Sequence, residues 1–399
     1  MGKRKPTVWL KKVTPDTIID DYGDLMDAAE YKKYYKPDDK VLLKLNLSWS
    51  KYFPACSSPP WQVDGVLSKL KSDGFHGRNI FTCENRTVVT NIKKGLSGNK
   101  WEPIITKHNV YFVPLTRVEF TPFQSKKPLH VLDSKIFPDG FKIPKFYIGK
   151  KIMHLPTFKT HGHAGAKGGD FLAPEDEKPG GITCAMKNAF GGLLTKRRHF
   201  AHQYMSEVLV DLLNIQQQIH PEILAVVDGT VAGDGAGPRC MVPKIKNTIM
   251  AGYDQVAVDA VAASIMGFKP MDLPFINLAH EDGLGCGDID QIEVLNTEGE
   301  EINIKNIDWG FKVQRSLVIW GDQMVRKGKL KILEPLMHTF LFQLGPVQLS
   351  AIYHDLFWIN TIGRKRINEY NKTEWGQLFK KYPGKVKAGY RLNKIRKEE

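Results

Sequence analysis

Short apolar runs alternate with longer segments of helical periodicity through the first 300 residues. The apolar runs predict strands, which cover residues 7–13, 40–47, 79–83, 110–114, 151–155, 223–228 and 247–251. Apolar positions at helical spacing predict helices over residues 15–33, 60–74, 88–96, 199–220 and 254–266. Strands that alternate with helices are typical of a parallel sheet covered on both faces. We therefore expect a three-layer α/β fold with a largely parallel sheet and helices on both faces.

The pattern changes in the last hundred residues, where we expect a helical and basic C-terminal extension (301–399) after an α/β domain (1–300). Residues 336–362 are apolar, but Gly345-Pro346 divides them, and neither half reaches the roughly 20 apolar residues of a spanning helix. Helical spacing predicts one buried face, formed by Val347, Ala351, Ile352, Leu356 and Trp358. Such a face packs on the body of the protein or lies on a membrane surface, and the first alternative is the preferred one.

Charge is concentrated at the two ends of the chain, whose formal net charge is +14. Residues 1–13 carry five Lys/Arg and no acid, and residues 361–399, which include the basic tail 363–399, carry twelve against four acids. Basic ends are solvated tails, or they bind nucleic acid or an anionic membrane surface, here through residues 336–399. Nucleic acid is the least favoured partner, because the body is nearly neutral and has no nucleic-acid-binding motif.

The five cysteines are scattered, and no two have the C-x-x-C spacing. This excludes a disulfide framework and a zinc ribbon, and we expect no intrinsic cysteine-ligated iron–sulfur cluster. The basic start is not followed by an apolar signal region. We expect a cytoplasmic protein, with a peripheral membrane association as the alternative.

Candidate site residues follow three predicted strands, where ligands bind in open α/β sheets. Lys44-x-Asn46 places two polar side chains on one face of an apolar strand, where they need partners or a ligand. Asp228 ends another strand, and the Gly-rich stretch with Asp234, Gly235 and Gly237 follows it. The alternative is an ordinary turn in which an aspartate caps backbone N–H groups. A cap and a packing partner are sufficient explanations for Asp254 and Asp259.

A cluster of histidines, lysines and glycines follows residue 154, and five of the twelve histidines lie between residues 154 and 202. Cations and exposed N–H groups hold an anion, and imidazoles transfer protons or bind metal. We assign catalytic roles to His161, His163, Lys187 and Asp228. Ligand binding is assigned to Lys44, Asn46, Lys159, Asn188, Asp234, Gly235 and Gly237. Metal ligation is an alternative without a strong spacing signature, and its candidates are His161, His163, His199 and His202.

An ordered set of motifs resembles the domain-of-unknown-function 362 family over about residues 40–285. The motifs are Lys44-x-Asn46, Leu155-Pro156-x-x-Lys159-x-His161, Met186-Lys187-Asn188-x-x-Gly191, Asp228-Gly229, Gly235-x-Gly237-Pro238 and Asp254-x-x-Ala257-Val258-Asp259. Members of that family often carry a ferredoxin-like iron–sulfur segment, whose cysteines this chain lacks. A weaker similarity, His163-Ala164-Gly165-x-x-Gly168-Gly169, links the chain to nickel-pincer lactate racemases, which implies Lys and His residues that hold a cofactor and transfer protons.

The leading hypothesis is an enzyme that acts on an anionic small molecule or bound cofactor, by histidine acid/base or metal-assisted chemistry. Its reaction class is left open between proton-transfer isomerase or lyase chemistry and cofactor-dependent redox chemistry. The second hypothesis is a non-catalytic carrier or maturation protein for a metal-containing or aromatic cofactor.

Overall fold

A computed structural model describes residues 5–87, 90–162, 164, 181–193, 198–314, 316–326, 328–339 and 345–384, apart from a few side chains. The strands are β1 Thr7–Lys12, β2 Val41–Lys44, β3 Ile80–Glu84, β4 Tyr111–Pro114, β5 Phe120–Pro122, β6 Lys142–Pro144, β7 Lys151–His154, β8 Thr157–His161, β9 Gly181–Thr183, β10 Ile223–Ala236, β11 Cys240–Gly252 and β12 Glu293–Leu295. Ten of them form one sheet, in which β12-β1-β11-β10-β7-β2-β3-β4 are successive neighbours and β8 joins β10 to β9. Strands β5 and β6 pair separately.

The sheet is largely parallel, as expected. Strand β2 runs parallel to both β3 and β7, β10 runs parallel to β7, and β4 runs parallel to β3. The antiparallel exceptions are β11 with β1 and β10, and β8 with β9. The structure differs from the prediction here: β10 continues eight residues beyond Asp228 to Ala236, and residues 157–161, for which no strand is predicted, form β8. Both extra lengths project beyond the carboxyl edge of β7.

The α-helices are α1 Ile18–Ala28, α2 Tyr31–Tyr34, α3 Pro60–Ser72, α4 Ile92–Gly98, α5 Trp101–Lys107, α6 Ala185–Asn188, α7 Phe190–Leu193, α8 Met205–Ile219, α9 Gln255–Met266, α10 Pro274–Glu281, α11 Leu317–Arg326, α12 Pro346–Ile352, α13 Arg364–Tyr370 and α14 Glu374–Lys381. A π-helical segment, Tyr353–Gly363, joins α12 to α13. The predicted helix over 15–33 is divided into α1 and α2, and the one over 199–220 begins as an α-helix only at Met205.

Alternate strand residues face two separate apolar cores, because side chains alternate across a sheet. Leu42 and Ile152 belong to the core under α8, α9 and α10. Val41, Leu43 and Met153 belong to the core under α1, α3 and α5. Helices therefore cover both faces, which confirms the three-layer architecture.

The C-terminal segment packs on the second core. Trp358, Ile359, Tyr370 and Trp375 are buried there, and the Trp375 indole lies 5.2 Å from that of Trp61 between ring centroids. The predicted buried face was only partly correct: Trp358 is buried as expected, but Ile352 and Leu356 are exposed, and His354 and Ile359 face the core instead. No helix among the described residues is long and apolar enough to cross a membrane.

Candidate functional site

Three parallel strands end side by side with a polar residue each. Strand β2 ends at Lys44, which is in register with Cys83 on β3 and with His154 on β7, and Glu84 follows at the end of β3. Asn46 lies just beyond β2, Lys159 lies on β8, and Asn188 ends α6. Hydrogen bonds link these side chains into what we call the buried polar network, which consists of Lys44, Asn46, Glu84, His154, Lys159 and Asn188.

The first part of the network is a buried ion pair. Lys44 Nζ donates to both carboxylate oxygens of Glu84, at 2.8 and 2.9 Å, and to the carbonyl of Leu45 at 2.6 Å. Both side chains are almost fully buried. A buried charge needs such a partner, since its desolvation is otherwise uncompensated. The positive charge of Lys44 is therefore already neutralised by Glu84.

The centre of the network is the Asn188 amide. Its Nδ2 donates to the carbonyl of Lys44 at 2.9 Å and lies 3.2 Å from Nδ1 of His154, while its Oδ1 accepts from Asn46 Nδ2 at 3.1 Å. Burial lowers the pKa of His154 to about 3, so its ring is neutral. The neutral ring accepts at Nδ1 and donates from Nε2 to Gln216 Oε1 at 3.0 Å. His154 thus orients Asn188 and carries no charge.

Lys159 differs from Lys44 in having no carboxylate partner among the described residues. Its side chain is buried, and its Nζ donates to Asn46 Oδ1 at 2.5 Å, the Cys56 carbonyl at 2.5 Å and Ser48 Oγ at 3.2 Å. Burial lowers the pKa of Lys159 to about 8. Burial also raises the pKa of the Cys56 thiol to about 12, so no thiolate neutralises the lysine.

The described network therefore holds two ammonium groups and one carboxylate when Lys159 is protonated. Its excess positive charge lies at Lys159, next to Asn46 and Ser48, which are only half-buried. An anion beside Lys159 stabilises the ammonium and raises the pKa of Lys159.

Asp259 holds α6, and hence Asn188, in place. Its two carboxylate oxygens accept from the backbone N–H groups of Ala185 at 2.6 Å and Met186 at 3.2 Å, which open α6. Such N–H groups have no partner within a helix. Burial raises the pKa of Asp259 to about 7, against the lowering effect of these hydrogen bonds. Asp254 caps α9, as expected, by accepting from the N–H groups of Val256 and Ala257.

The two predicted aspartates lie outside the network. Asp228 is buried under α1 and α3, and accepts from Tyr22 at 2.7 Å, Trp61 at 3.0 Å and Thr230 at 2.8 Å. Burial raises its pKa to about 6, against the effect of these bonds. Asp234 accepts from the backbone of Lys312. Neither aspartate orients a histidine among the described residues.

The predicted glycines allow two strands to approach closely. A Cβ on Gly237 would lie 1.7 Å from the carbonyl oxygen of Thr160 on β8. Gly235 has φ +86°, and its carbonyl accepts from Thr160 Oγ1 at 2.8 Å. The Gly-rich stretch is thus the extended end of β10 and its turn, packed against β8.

The histidine cluster is only partly described. His161 is buried on β8, and its Nδ1 accepts from the N–H of Ala164 at 3.2 Å. The ring of His202 lies edge-on to Phe190, over which Lys187 Nζ also lies, at 4.7 Å from the centroid. His163 and the side chain of His199 lie outside the described residues. The described residues contain no group of three His, Cys, Asp or Glu that could hold a metal ion.

Sequence reasoning missed Glu84 and the positioning role of Asp259. The rule that selected Asp228, a polar residue directly after an apolar strand, also selects Glu84 at the end of β3. No sequence signal connects Asp259 to α6, because the contact joins segments about 70 residues apart.

Residues 178–264 match the model of a family described as a domain of unknown function (DUF362). The match spans α6, β10, β11 and most of α9, and it includes the motifs that contain Asn188, Asp228 and Asp259. The chain thus resembles that family over this stretch, which contains Asn188 but none of the other five residues of the buried polar network. No curated protein and no solved structure matches the chain.

Proposed function

We propose that the protein is an enzyme that binds an anionic small molecule or cofactor at the carboxyl edge of its sheet, beside Lys159. The observation that carries this proposal is the charge of the buried polar network, in which Glu84 forms an ion pair with Lys44 and no described carboxylate forms one with Lys159. A buried ammonium without a counter-ion destabilises the folded protein, and binding a carboxylate or phosphate removes that cost.

In this proposal Lys159 supplies the charge, and the Asn46 amide, which Asn188 holds in place, orients the anion. A group with a pKa of about 8 is present in both protonation states near neutral pH. Such a group is suited to general acid/base catalysis. We therefore favour proton transfer, of the isomerase or lyase type, over chemistry that needs a redox cofactor. His161, on the same strand as Lys159, is the second candidate for proton transfer.

Binding is tested by thermal unfolding with inorganic phosphate, pyrophosphate, lactate and citrate as probes. At least one probe should raise the unfolding midpoint of the wild type, and Lys159→Met should lose that response. The matched control is Lys145→Met, which removes the same charge from an exposed position paired with Glu119. An equal response in Lys159→Met and the wild type would contradict the assignment.

The carrier alternative is separated by elemental analysis, absorbance and native mass spectrometry of anaerobically purified protein. A stoichiometric metal or chromophore without turnover supports a carrier. Turnover of a bound probe, lost in Lys159→Met, supports the enzyme.

The five cysteines are all unpaired. A reducing compartment suits them, and we propose that the protein acts in the cytoplasm.

A further inference from the structure

One continuous helical segment is apolar on two faces. Helix α12, the π-helical segment and α13 follow one another without a break in helical backbone angles, from Pro346 to Tyr370. The inner face, formed by His354, Trp358 and Ile359, is buried. It is fixed to the body by Trp49 Nε1, which donates to Asp355 Oδ1 at 2.5 Å, and by Arg366, which donates to the carbonyl of Met241 at 2.6 Å.

The outer face exposes large apolar side chains, which we call the outer apolar face. Its members are exposed by between 47% and 65%: Leu349, Ile352, Leu356, Phe357 and Ile362. Single exposed apolar residues are ordinary, but a group of them on one segment marks an interaction site.

The charged residues next to the outer apolar face indicate which kind of partner it binds. Arg364 and Lys365 follow the apolar residues directly and are both exposed, whereas Arg366 is turned to the body. Between residues 345 and 365 the only acid is Asp355, which is half-buried and bonded to Trp49. Apolar side chains next to exposed cations fit the interface of an anionic bilayer, where the chains enter the acyl boundary and the cations meet headgroups.

We propose that the outer apolar face docks the protein on an anionic lipid bilayer without crossing it. The segment is held by its inner face to the α/β body, so it presents a preformed surface. This docking is independent of the anion site proposed above, since the two use different residues. The outer apolar face takes no part in the buried polar network.

Flotation of the full chain tests the proposal, with vesicles of phosphatidylcholine alone and of phosphatidylcholine with phosphatidylglycerol. The wild type should float only with the anionic vesicles, and Leu356→Glu/Phe357→Glu should abolish flotation. Each basic residue near an anionic surface contributes about 1 kcal/mol, so Arg364→Gln/Lys365→Gln should weaken binding roughly thirtyfold. Matched controls are Ile148→Glu, an exposed apolar residue elsewhere, and Lys126→Gln/Lys127→Gln, an exposed basic pair.

Unchanged circular dichroism and thermal unfolding establish that the variants fold. The proposal is overturned if the wild type does not float with anionic vesicles, or if the apolar and basic variants float as it does. It is also overturned if light scattering shows a dimer that Leu356→Glu/Phe357→Glu converts to a monomer while no vesicle binding occurs. That result would assign the outer apolar face to a second copy of the chain.

Discussion

The depressed pKa of Lys159 predicts a specific dependence of stability on pH. Its pKa is about 8 in the folded protein and 10.5 in the unfolded chain. Between pH 8 and 10.5 the unfolded chain binds one more proton than the folded protein. The free energy of unfolding therefore rises with pH, and the cost of burying the Lys159 ammonium is fully removed above pH 10.5. The difference between these two pKa values corresponds to about 3 kcal/mol, of which about 2 kcal/mol falls between pH 7 and 9.5. Lys159→Met should lack this rise.

The measurement is urea denaturation of the wild type, Lys159→Met and Lys145→Met at intervals from pH 7 to 9.5. Buried tyrosines and thiols titrate in all three proteins. The difference between the stability profiles of the wild type and Lys159→Met therefore reports the contribution of Lys159 alone. The Lys145→Met profile should run parallel to that of the wild type. Parallel profiles for the wild type and Lys159→Met would refute the reasoning. An NMR titration of the Lys159 side chain gives its pKa directly, and a value near 10.5 would refute it equally.

Three further substitutions test the framework around the site. Glu84→Gln leaves the Lys44 ammonium without its counter-charge and should lower the free energy of unfolding by about 3–5 kcal/mol in urea denaturation. Asp259→Ala removes the acceptor of two backbone amides at the start of α6; it should cost about 1–2 kcal/mol and weaken binding of the anionic probes, as measured by calorimetry. Gly237→Ala places a methyl group against the β8 backbone and should cost about 2–3 kcal/mol in thermal or urea unfolding, whereas Gly321→Ala, with open space around its Cβ, should be tolerated.

The layers of the fold could be predicted from sequence because buried helices and strands carry periodic patterns of apolar residues. In β2 every residue from Val41 to Lys44 is buried, and such a run is typical of a strand covered on both faces. The ends of the strands were marked less clearly in the sequence. Glycine and aspartate after Val227 favoured a turn, but β10 continues there because Gly233 and Gly237 let β8 approach: a Cβ on Gly233 would lie 3.1 Å from the Cβ of Lys159.

Pairing of charges could not be predicted in the same way. The sequence assigns Lys44 and Lys159 the same ligand-binding role. Their difference arises only when β3 brings Glu84 to Lys44, while Lys159 meets the carbonyl of Cys56 and the amide of Asn46. Contacts of this kind depend on which strands become neighbours, and a single sequence does not record that.

The position of β1 in the sheet has a consequence for the synthesis of the chain. Strand β1 is synthesised long before its neighbours β11 and β12, which begin at Cys240 and Glu293. At about 5–20 residues per second, roughly 10–50 s pass before β11 starts to leave the ribosome. Until then β1 has unpaired edges, which attract other strands and chaperones. The sheet therefore cannot be completed in the order in which its strands are synthesised. Folding is completed only when β1 pairs with strands that are distant in sequence.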